Sequence, residues 1–197
     1  MASIAGLVLA AGGSRRLGQP KQLLPYAGAT LLDATLTMAR SCTFDQLIVA
    51  LGGSADEVEK VVDLHGACVV RNDSYPTGCS SSIAAALAAV ATDAAGIVLL
   101  LGDQPSVTPT AVAGLVDVAR DAPIGVCRYR NGIGHPFWLG RDSFESLAQL
   151  HGDKGVWKLI DAAGDGVPSH LVDDDIPRDV DTWADYEALL AEGPSDG

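Results

Sequence analysis

Three basic residues stand close together in a chain that is otherwise acidic. Arg15, Arg16 and Lys21 follow the pair Gly12-Gly13, whereas the whole chain has 13 Lys and Arg residues against 25 Asp and Glu residues. Glycine lets backbone N–H groups approach an anion closely, and the basic side chains would add positive charge at the same place. The pattern predicts a polyphosphate site, although a plain strand–helix turn with solvated arginines would use the same residues.

Two better-known phosphate-binding loops do not fit this stretch. The spacing from Gly13 to Gly18 matches the first half of a P-loop, but Gln19-Pro20 stands where that loop has Lys-Ser or Lys-Thr. Proline also lacks an N–H to donate to a phosphate. The fingerprint G-x-G-x-x-G of dinucleotide-binding proteins is absent as well, which disfavours a purely NAD-binding domain.

A carboxylate follows the most apolar segment of the chain. Gly96–Leu101 (GIVLLL) predicts a buried strand, and Gly102-Asp103 comes directly after it. Mg²⁺ in nucleotide-binding enzymes prefers one or two carboxylates together with phosphate oxygens and water. Asp103 is therefore a candidate metal ligand, although an aspartate at this position would also suit the cap of the next helix.

A serine-rich segment opens a predicted helix after another strand. Backbone N–H groups at the start of this helix, with the hydroxyls of residues 80–82, would suit an anion or the edge of a nucleotide base. Ordinary N-capping by Ser80 or Ser81 explains the same residues equally well.

Alternating strands and helices must position these groups. The predicted strands are Ile4–Leu9, Gln46–Leu51, Ala67–Arg71, Gly96–Leu101, and the pair Ile124–Arg130 and Ile133–Leu139 joined at Asn131-Gly132. The predicted helices are Leu31–Arg40, Ala55–Asp63, Ser80–Val90, Thr108–Arg120, Arg141–Leu150, Gly155–Ala162 and Trp183–Ala191. This order predicts a three-layer α/β/α Rossmann-like fold, with a mostly parallel sheet and one antiparallel element. Ligands of such sheets bind beyond the carboxyl ends of the strands, where the candidate residues fall.

Composition limits the classes of protein that the chain can be. With 197 residues, 48% hydrophobic and 19% charged, residues 1–197 are expected to form one globular domain with a frayed tail from about residue 192. The net charge of -12 argues against nucleic-acid binding, and we expect neither a signal peptide nor a membrane span. The four cysteines lack C-x-x-C spacing, which favours a cytoplasmic protein with reduced thiols over a disulfide framework or a zinc site.

Six segments of the chain resemble one family, in the same order. The run LAAGGSRRLGQPK resembles the signature L-A-A-G-x-S-x-R-x-G-x-x-K of the MobA-like nucleotidyltransferases related to molybdenum cofactor cytidylyltransferase, with Leu17 where the family often has Met. Gly102-Asp103-Gln104-Pro105 resembles the metal-binding motif of the family. The other similar segments are Gly78–Ser82 (G-M-x-x-S, with Cys79 for Met), Gly132–Pro136 (G-x-x-G-H-P), Leu150–Gly155 (G-D-x-G) and Asp179–Tyr186 (D-I-D-T-P-E-D-L/Y, with Trp183 for Pro and Ala184 for Glu).

The resemblance implies a role for each matching residue. Arg16, Lys21 and Asp103 would be catalytic, with Asp103 and Asp181 holding Mg²⁺ and Asp179 as the alternative to Asp181. The remaining residues implied to bind the nucleotide are Leu9, Ala10, Ala11, Gly12, Gly13, Ser14, Gly78 and Ser82. His135 and Lys154 would contact the acceptor, although a lone histidine beside glycines can equally be a hydrogen-bonded structural residue.

The resemblance also implies substrates. L-A-A-G combined with G-D-Q-P is similar to the cytidylyl branch, which favours CTP and the molybdopterin cofactor, with a molybdenum hydroxylase as a further expected partner. Adenylyl or guanylyl transfer, transfer to a sugar phosphate or phospholactate, and a non-catalytic nucleotide-binding accessory role in cofactor insertion stay open as alternatives.

Overall fold

The strands and helices alternate along the chain as the apolar pattern predicts. The structure is a computed structural model that describes residues 3–152 and 155–193. Its strands are β1 (Ser3–Ala10), β2 (Pro25–Tyr26), β3 (Ala29–Thr30), β4 (Gln46–Leu51), β5 (Ala67–Arg71), β6 (Ala94–Leu101), β7 (Ile124–Tyr129), β8 (Gly132–Gly140) and β9 (Ser169–Leu171). Its α-helices are α1 (Leu31–Ser41), α2 (Ala55–Val61), α3 (Cys79–Leu87), α4 (Pro109–Ala119), α5 (Phe144–Ala148), α6 (Gly155–Ala163) and α7 (Trp183–Glu192).

A seven-stranded sheet forms the centre of the fold. Its strand order is β5-β4-β1-β6-β8-β7-β9, and β8 alone runs antiparallel to both of its neighbours. The predicted three-layer α/β/α Rossmann-like fold, mostly parallel with an antiparallel element, is confirmed. None of the described helices combines the length and the apolar character that crossing a membrane would require.

Both faces of the sheet are covered by helices. One face packs against α1, α2 and α4 through buried side chains that include Leu36, Val58 and Leu115. The opposite face packs against α3, α5 and α6 through Ile83, Leu147 and Ile160. Removing this apolar area from water on two faces is the main force that holds the three layers together.

A smaller apolar cluster joins the two ends of the chain. It brings the loop after β1 against the segment before α7 and against α7 itself. Its buried members are Leu17, Leu24, Tyr26, Leu31, Val180, Tyr186 and Leu189.

The chain changes direction across the sheet at β1. It runs from β1 outward through β4 to β5, and then returns to form β6 on the other side of β1. The carboxyl ends of β1 and β6 therefore lie side by side at a topological switch point, where open α/β sheets bind their ligands.

The predicted hairpin turn differs from the structure by one residue. The hairpin turn lies at Arg130-Asn131, one residue earlier than predicted, and Gly132 already pairs with Tyr129. Long-range contacts hold it there, since Asn131 Oδ1 accepts a hydrogen bond from the Ile176 N–H at 2.9 Å.

The predicted helix over Arg141–Leu150 is split. It begins with a 3-10 turn at Arg141–Ser143, and the α-helical part α5 is short. The buried Ser143 hydroxyl donates to Gly140 O at 2.7 Å, which favours the tighter turn at this point. The bounds of the other predicted helices differ from the observed ones by no more than three residues at either end.

The short strands β2, β3 and β9 were not predicted. Each has two or three residues, which is too short for a readable alternation, and β9 exists because it pairs with the distant β7. At the carboxyl end of the chain α7 continues to Glu192, and residues 194–197 of the predicted frayed tail lie outside the described residues.

Candidate active site

The loop after β1 is tied together by its own polar groups. The Ser14 carbonyl accepts hydrogen bonds from the N–H groups of Leu17 and Gly18, and Ser14 Oγ accepts one from the Lys21 N–H at 2.9 Å. The buried Gln22 amide donates to Ala10 O at 2.6 Å and to Gly12 O at 3.1 Å. The glycine-rich turn is therefore held in one shape by hydrogen bonds within the protein, which reduces the entropic cost of ordering it around an anion.

Four charged side chains meet above the ends of β1 and β6. Lys21 Nζ lies 2.5 Å from Asp103 Oδ2 and 3.0 Å from Asp181 Oδ1, and Arg16 Nη2 lies 2.7 Å from Asp181 Oδ2. We call Arg16, Lys21, Asp103 and Asp181 the charged wall. The structure thus brings together residues from three distant segments that the sequence analysis had singled out one by one.

Contacts within the charged wall favour the ionised forms of Lys21 and Asp181. Burial lowers the pKa of Lys21, but the charges and hydrogen bonds of Asp103 and Asp181 outweigh burial, so that the pKa is raised above its usual value. Burial raises the pKa of Asp181, and Lys21 and Arg16 outweigh that effect and hold it below the usual value. At neutral pH this corner offers two cations and at least one carboxylate to a charged ligand.

Asp181 and Asp179 have different surroundings, although they are separated by a single residue. The Asp179 carboxylate accepts a hydrogen bond from Gln104 Nε2 at 2.5 Å, and the same amide donates to Pro177 O at 2.8 Å. Burial and the nearby negative charge of Asp103 raise the pKa of Asp179 to about 6. Asp181 shares a cation with Asp103, whereas Asp179 anchors its segment to Gln104.

Packing next to the charged residues fixes their positions. Leu17 follows Arg16 and Val180 precedes Asp181, and both apolar side chains are buried in the cluster that joins the loop to α7. A capping box at the start of α7 adds to this, because Asp185 Oδ2 accepts from the N–H groups of Thr182 at 2.8 Å and Asp181 at 3.2 Å. The replacements Trp183 and Ala184 therefore leave the helix start intact.

A cleft of about 610 Å³ opens next to the charged wall. It is of the size that commonly accommodates a nucleotide-sized or drug-sized molecule. The residues predicted to bind the nucleotide all line it: Leu9, Ala10, Ala11, Gly12, Gly13, Ser14, Arg16, Lys21, Gly78, Ser82 and Asp103. Arg15, Asp179, Asp181 and His135 line it as well, and Lys154 lies outside the described residues.

The start of α3 is organised by backbone and cross-loop contacts. Gly78 is the N-cap residue and has φ 112°, a conformation that favours glycine. Neither Ser80 nor Ser81 is therefore the N-cap, which was the alternative explanation of these residues. Ser80 Oγ instead donates to Gly152 O at 2.6 Å, which ties α3 to the segment before α6. Ser82 is buried and its Oγ accepts from Asn72 Nδ2 at 2.9 Å.

His135 lies in the wall of the cleft formed by β8. Its ring packs against Phe137 with the ring centroids 4.2 Å apart. Burial lowers the pKa of His135 to about 3, so the imidazole is neutral at physiological pH. A neutral ring is suited to stacking and to single hydrogen bonds, and poorly suited to holding a phosphate by charge.

Several cleft residues were missed by the sequence analysis. Tyr75 packs over Gly52 and Gly53, where a Cβ atom would collide with its ring, and it closes one side of the glycine-rich loop. The glycine pair after β4 is a signal of close approach that the sequence does contain. Gln22 and Trp157 also line the cleft, and Gln104 bonds Asp179. None of these three residues gave a comparable signal, because each acts through a partner in another element.

The donor set fits a hard divalent cation completed by substrate. In the described part of the chain, no three His, Cys, Asp or Glu residues stand together as a complete metal-binding group. Asp103 and Asp181, however, already share one positive charge, that of Lys21, and Mg²⁺ or Mn²⁺ bound with a nucleotide needs only one or two carboxylates.

The sheet is mostly parallel and is covered by helices on both faces, and a glycine-rich loop and two carboxylates lie at its switch point. This combination is typical of a nucleotide-binding α/β enzyme. The family comparison makes this specific. Residues 6–167 match the MobA-like NTP transferase domain, and the chain belongs to this family of nucleotidyltransferases, whose substrates include a nucleoside triphosphate.

Characterised relatives carry different names. The chain is 36% identical over 164 residues to nicotine blue oxidoreductase of Paenarthrobacter nicotinovorans, covering 78% of this chain and 79% of that one. It is 27% identical over 189 residues to molybdenum cofactor cytidylyltransferase of Escherichia coli, covering 94% and 95%.

Solved structures support the same fold. A homologue of Mycobacterium tuberculosis Rv0371c from Mycobacterium sp. strain JC1 is 60% identical with a TM-score of 0.91, covering 96% of each chain. A manganese complex of Rv0371c itself is 49% identical with a TM-score of 0.87, covering 96% of this chain and 98% of that one. A nucleotidyl transferase from Methanothermobacter thermautotrophicus is 27% identical with a TM-score of 0.81, and 98% of each chain is covered.

Proposed function

We propose that this enzyme transfers CMP from CTP to the terminal phosphate of the molybdopterin cofactor and releases pyrophosphate. The observation that carries the proposal is the Lys21 ammonium group held between Asp103 and Asp181 at the mouth of the glycine-rich loop. The similarity to a molybdenum cofactor cytidylyltransferase over 94% of the chain supports the choice of substrates.

The chain's own residues would act mainly by positioning and by neutralising charge. A terminal phosphate oxygen of the acceptor attacks the α-phosphorus, and the bond from that phosphorus to the oxygen bridging the α- and β-phosphates breaks. Pyrophosphate leaves with the electron pair of this bond. The attacking phosphate is already ionised near neutral pH, so no general base is required. Arg16 and Lys21 would bind the β- and γ-phosphates and stabilise the charge that develops on pyrophosphate.

Asp103 and Asp181 would hold the divalent cation. Bound there, Mg²⁺ would act as a Lewis acid and neutralise negative charge on the triphosphate. Lys21 would then exchange part of its contact with the two carboxylates for contact with phosphate. The manganese complex of Rv0371c supports a divalent ion in a related protein and leaves the choice between Mg²⁺ and Mn²⁺ to experiment.

His135 and Lys154 remain the proposed acceptor contacts. The neutral imidazole of His135 suits a hydrogen bond to the acceptor better than a salt bridge to its phosphate. We also propose that the protein is cytoplasmic and that residues 1–197 form one domain. A molybdenum hydroxylase is the partner that we propose for the product.

A second candidate function follows from a specific observation. The relative at 36% identity is named an oxidoreductase, which favours a test of redox activity on this chain as well. A hydride transfer would not use the charged wall, and the dinucleotide fingerprint is missing. The charged wall therefore favours nucleotidyl transfer over oxidoreduction, and it also argues against a non-catalytic accessory role.

The test measures pyrophosphate release with CTP, ATP and GTP in parallel, in Mg²⁺ and in Mn²⁺. Each nucleotide is tested without acceptor and with molybdenum cofactor, a sugar phosphate or phospholactate. Oxidation of NADH or NADPH with nicotine blue is measured alongside. Release with CTP that depends on the acceptor would support the proposal. Release with ATP or GTP would support nucleotidyl transfer but replace CTP as the proposed nucleotide. Release only with a sugar phosphate or phospholactate would replace molybdopterin as the proposed acceptor. Oxidation of NADH or NADPH with nicotine blue, without pyrophosphate release, would overturn the proposal in favour of the oxidoreductase.

A further inference from the structure

One side of the cleft has a chemistry that the charged wall does not explain. This side is built by β8, the start of α3 and the start of α6, and its lining includes Ile83, His135, Phe137, Val156 and Trp157. None of these five carries a charge at neutral pH, because the pKa of His135 is lowered to about 3 by burial. A triphosphate has no partner on this side among them.

Three of these residues form a connected set of rings. Phe137 is fully buried, and its ring lies 4.2 Å from that of His135 and 5.2 Å from that of Trp157, centroid to centroid. The contact with Trp157 is edge-to-face with an interplanar angle of 88°, a favoured geometry for aromatic pairs. We call His135, Phe137 and Trp157 the aromatic wall.

Burial differs along the aromatic wall in a way that points to a ligand. The Phe137 side chain is inaccessible to solvent and contacts both of the other rings. His135 and Trp157 are only partly buried, and both line the cleft. Trp138, the neighbour of Phe137, is fully buried elsewhere in the core and its indole N–H donates to Ala122 O at 2.9 Å. Trp157 thus presents a large rigid ring at the cleft with its packing already arranged.

We infer that Trp157 and His135, supported by Phe137, bind a planar nitrogen heterocycle of the substrate by stacking and by a hydrogen bond with the imidazole ring of His135. The inference rests on the proposed function, because it assigns this heterocycle to a substrate of the same site. Two sources share the chemistry: the pterin of the acceptor and the base of the nucleotide. Trp157 is then a specificity-determining residue that contacts substrate, and Phe137 is a positioning residue.

Tryptophan fluorescence tests the inference without relying on turnover. The probes are free pterin and cytidine, both without phosphate, titrated separately into the wild type, Trp157→Leu and Trp183→Phe. Trp183 is a suitable control because it lies on α7, is 46% exposed and packs edge-to-face on Tyr186, a contact that phenylalanine can keep. We expect one probe to quench the wild type and Trp183→Phe alike, and the quenching and the binding to be lost in Trp157→Leu.

The identity of the active probe separates the two sources. Quenching by pterin, together with a higher acceptor KM in Trp157→Leu, would assign the aromatic wall to the acceptor. The expected increase in KM is about tenfold, which corresponds to the loss of one aromatic contact. Quenching by cytidine with an increase in the KM for CTP would assign it to the base. Trp157→Phe, which keeps a ring, should restore most of the binding in either case.

Other outcomes overturn the inference alone. Equal quenching and equal KM values in Trp157→Leu and the wild type would show that Trp157 does not contact a ring. The absence of binding by both probes at millimolar concentration, while pyrophosphate release is normal, would also overturn it and leave the proposed function intact. If pyrophosphate release itself is absent while a probe still binds through Trp157, the proposed function fails and the heterocycle site stands.

Discussion

The charged wall and the aromatic wall face the same cleft and are held in place in different ways. The side chains of the charged wall are positioned by one another, through ion pairs of 2.5 to 3.0 Å. Two of them are in contact with water, with 67% of the Arg16 and 45% of the Asp181 side chain accessible. The aromatic wall is positioned by packing on the fully buried Phe137. The first arrangement can exchange partners when an anion and a cation enter, whereas the second is preformed and rigid.

This difference suits the two tasks of a nucleotidyltransferase. In each cycle the phosphate groups must be bound, their charge must be neutralised, and pyrophosphate must be released. This sequence of steps favours exchangeable ion pairs near water. Recognition of a ring needs shape and a constant surface, which favours aromatic side chains fixed by the core. Changes to the charged wall should therefore affect turnover, and changes near the aromatic wall should affect affinity or stability.

The largest expected effect is that of Asp103→Asn. The substitution keeps the shape of the side chain but removes a negative charge from Lys21 and from the proposed metal site, and kcat should fall about 10³-fold, since metal stabilisation of the transition state amounts to several kcal/mol. Pyrophosphate release and the thermal midpoint should be measured together. Asp56→Asn, which alters an exposed partner of Arg71, is the matched control. Normal turnover of folded Asp103→Asn would remove the charged wall from the mechanism.

A comparison of Asp181→Asn with Asp179→Asn should show which of the two aspartates is the second metal ligand beside Asp103. Asp181 shares Lys21 with Asp103, whereas Asp179 bonds to Gln104, so we expect about 10²-fold loss of kcat/KM for Asp181→Asn and less than about tenfold for Asp179→Asn. The affinity for Mn²⁺, measured by calorimetry in the presence of CTP, should follow the same order. The reverse order would make Asp179 the ligand.

Gln104→Leu tests whether the hydrogen bonds of Gln104 position the segment that leads to Asp181. The buried amide bonds both Pro177 O and Asp179, and its removal leaves these two groups without their donor. We expect a loss of about 1–3 kcal/mol in the free energy of unfolding and a higher KM for the divalent cation with a smaller change in kcat. Chemical denaturation and metal titrations measure these effects, and Gln104→Glu, which cannot donate from an ionised side chain, should resemble Gln104→Leu. An unchanged metal dependence in both variants would contradict the positioning role.

The last prediction concerns the pH dependence of stability at the aromatic wall, where no effect on the chemical step is expected. The pKa of His135 is lowered from 6.5 to about 3 by burial, so between these values the unfolded chain binds more protons than the folded one. The contribution of the neutral ring is thus fully present above pH 6.5 and is lost as the pH falls towards 3. His135→Gln, which cannot be protonated, should show a shallower loss of stability between pH 6.5 and 4, measured by urea unfolding. Identical pH profiles for the wild type and His135→Gln would contradict the burial of a neutral imidazole.

The fold was largely predictable because its elements carry strong local patterns. The run GIVLLL is apolar enough to be buried on both faces, and it forms the last six residues of β6. The strand β9 was missed because three residues hold no readable period, and the turn at Arg130-Asn131 was displaced by a bond to the distant Ile176. Local propensity cannot report such long-range pairing.

The sequence by itself determined which chemical groups this protein brings to its cleft: the glycine-rich loop with Arg16 and Lys21, and the aspartates that follow an apolar strand and precede a capped helix. Their types and local order are written in consecutive residues. Only the tertiary structure decided how they combine, since Asp181 meets Lys21 across 160 residues and the contact depends on the apolar cluster in which Leu17 and Val180 are both buried. The aromatic wall was decided in the same way, because Trp157 comes next to Phe137 only when α6 packs on β8, and burial, which sets the neutral state of His135, is a property of the folded chain.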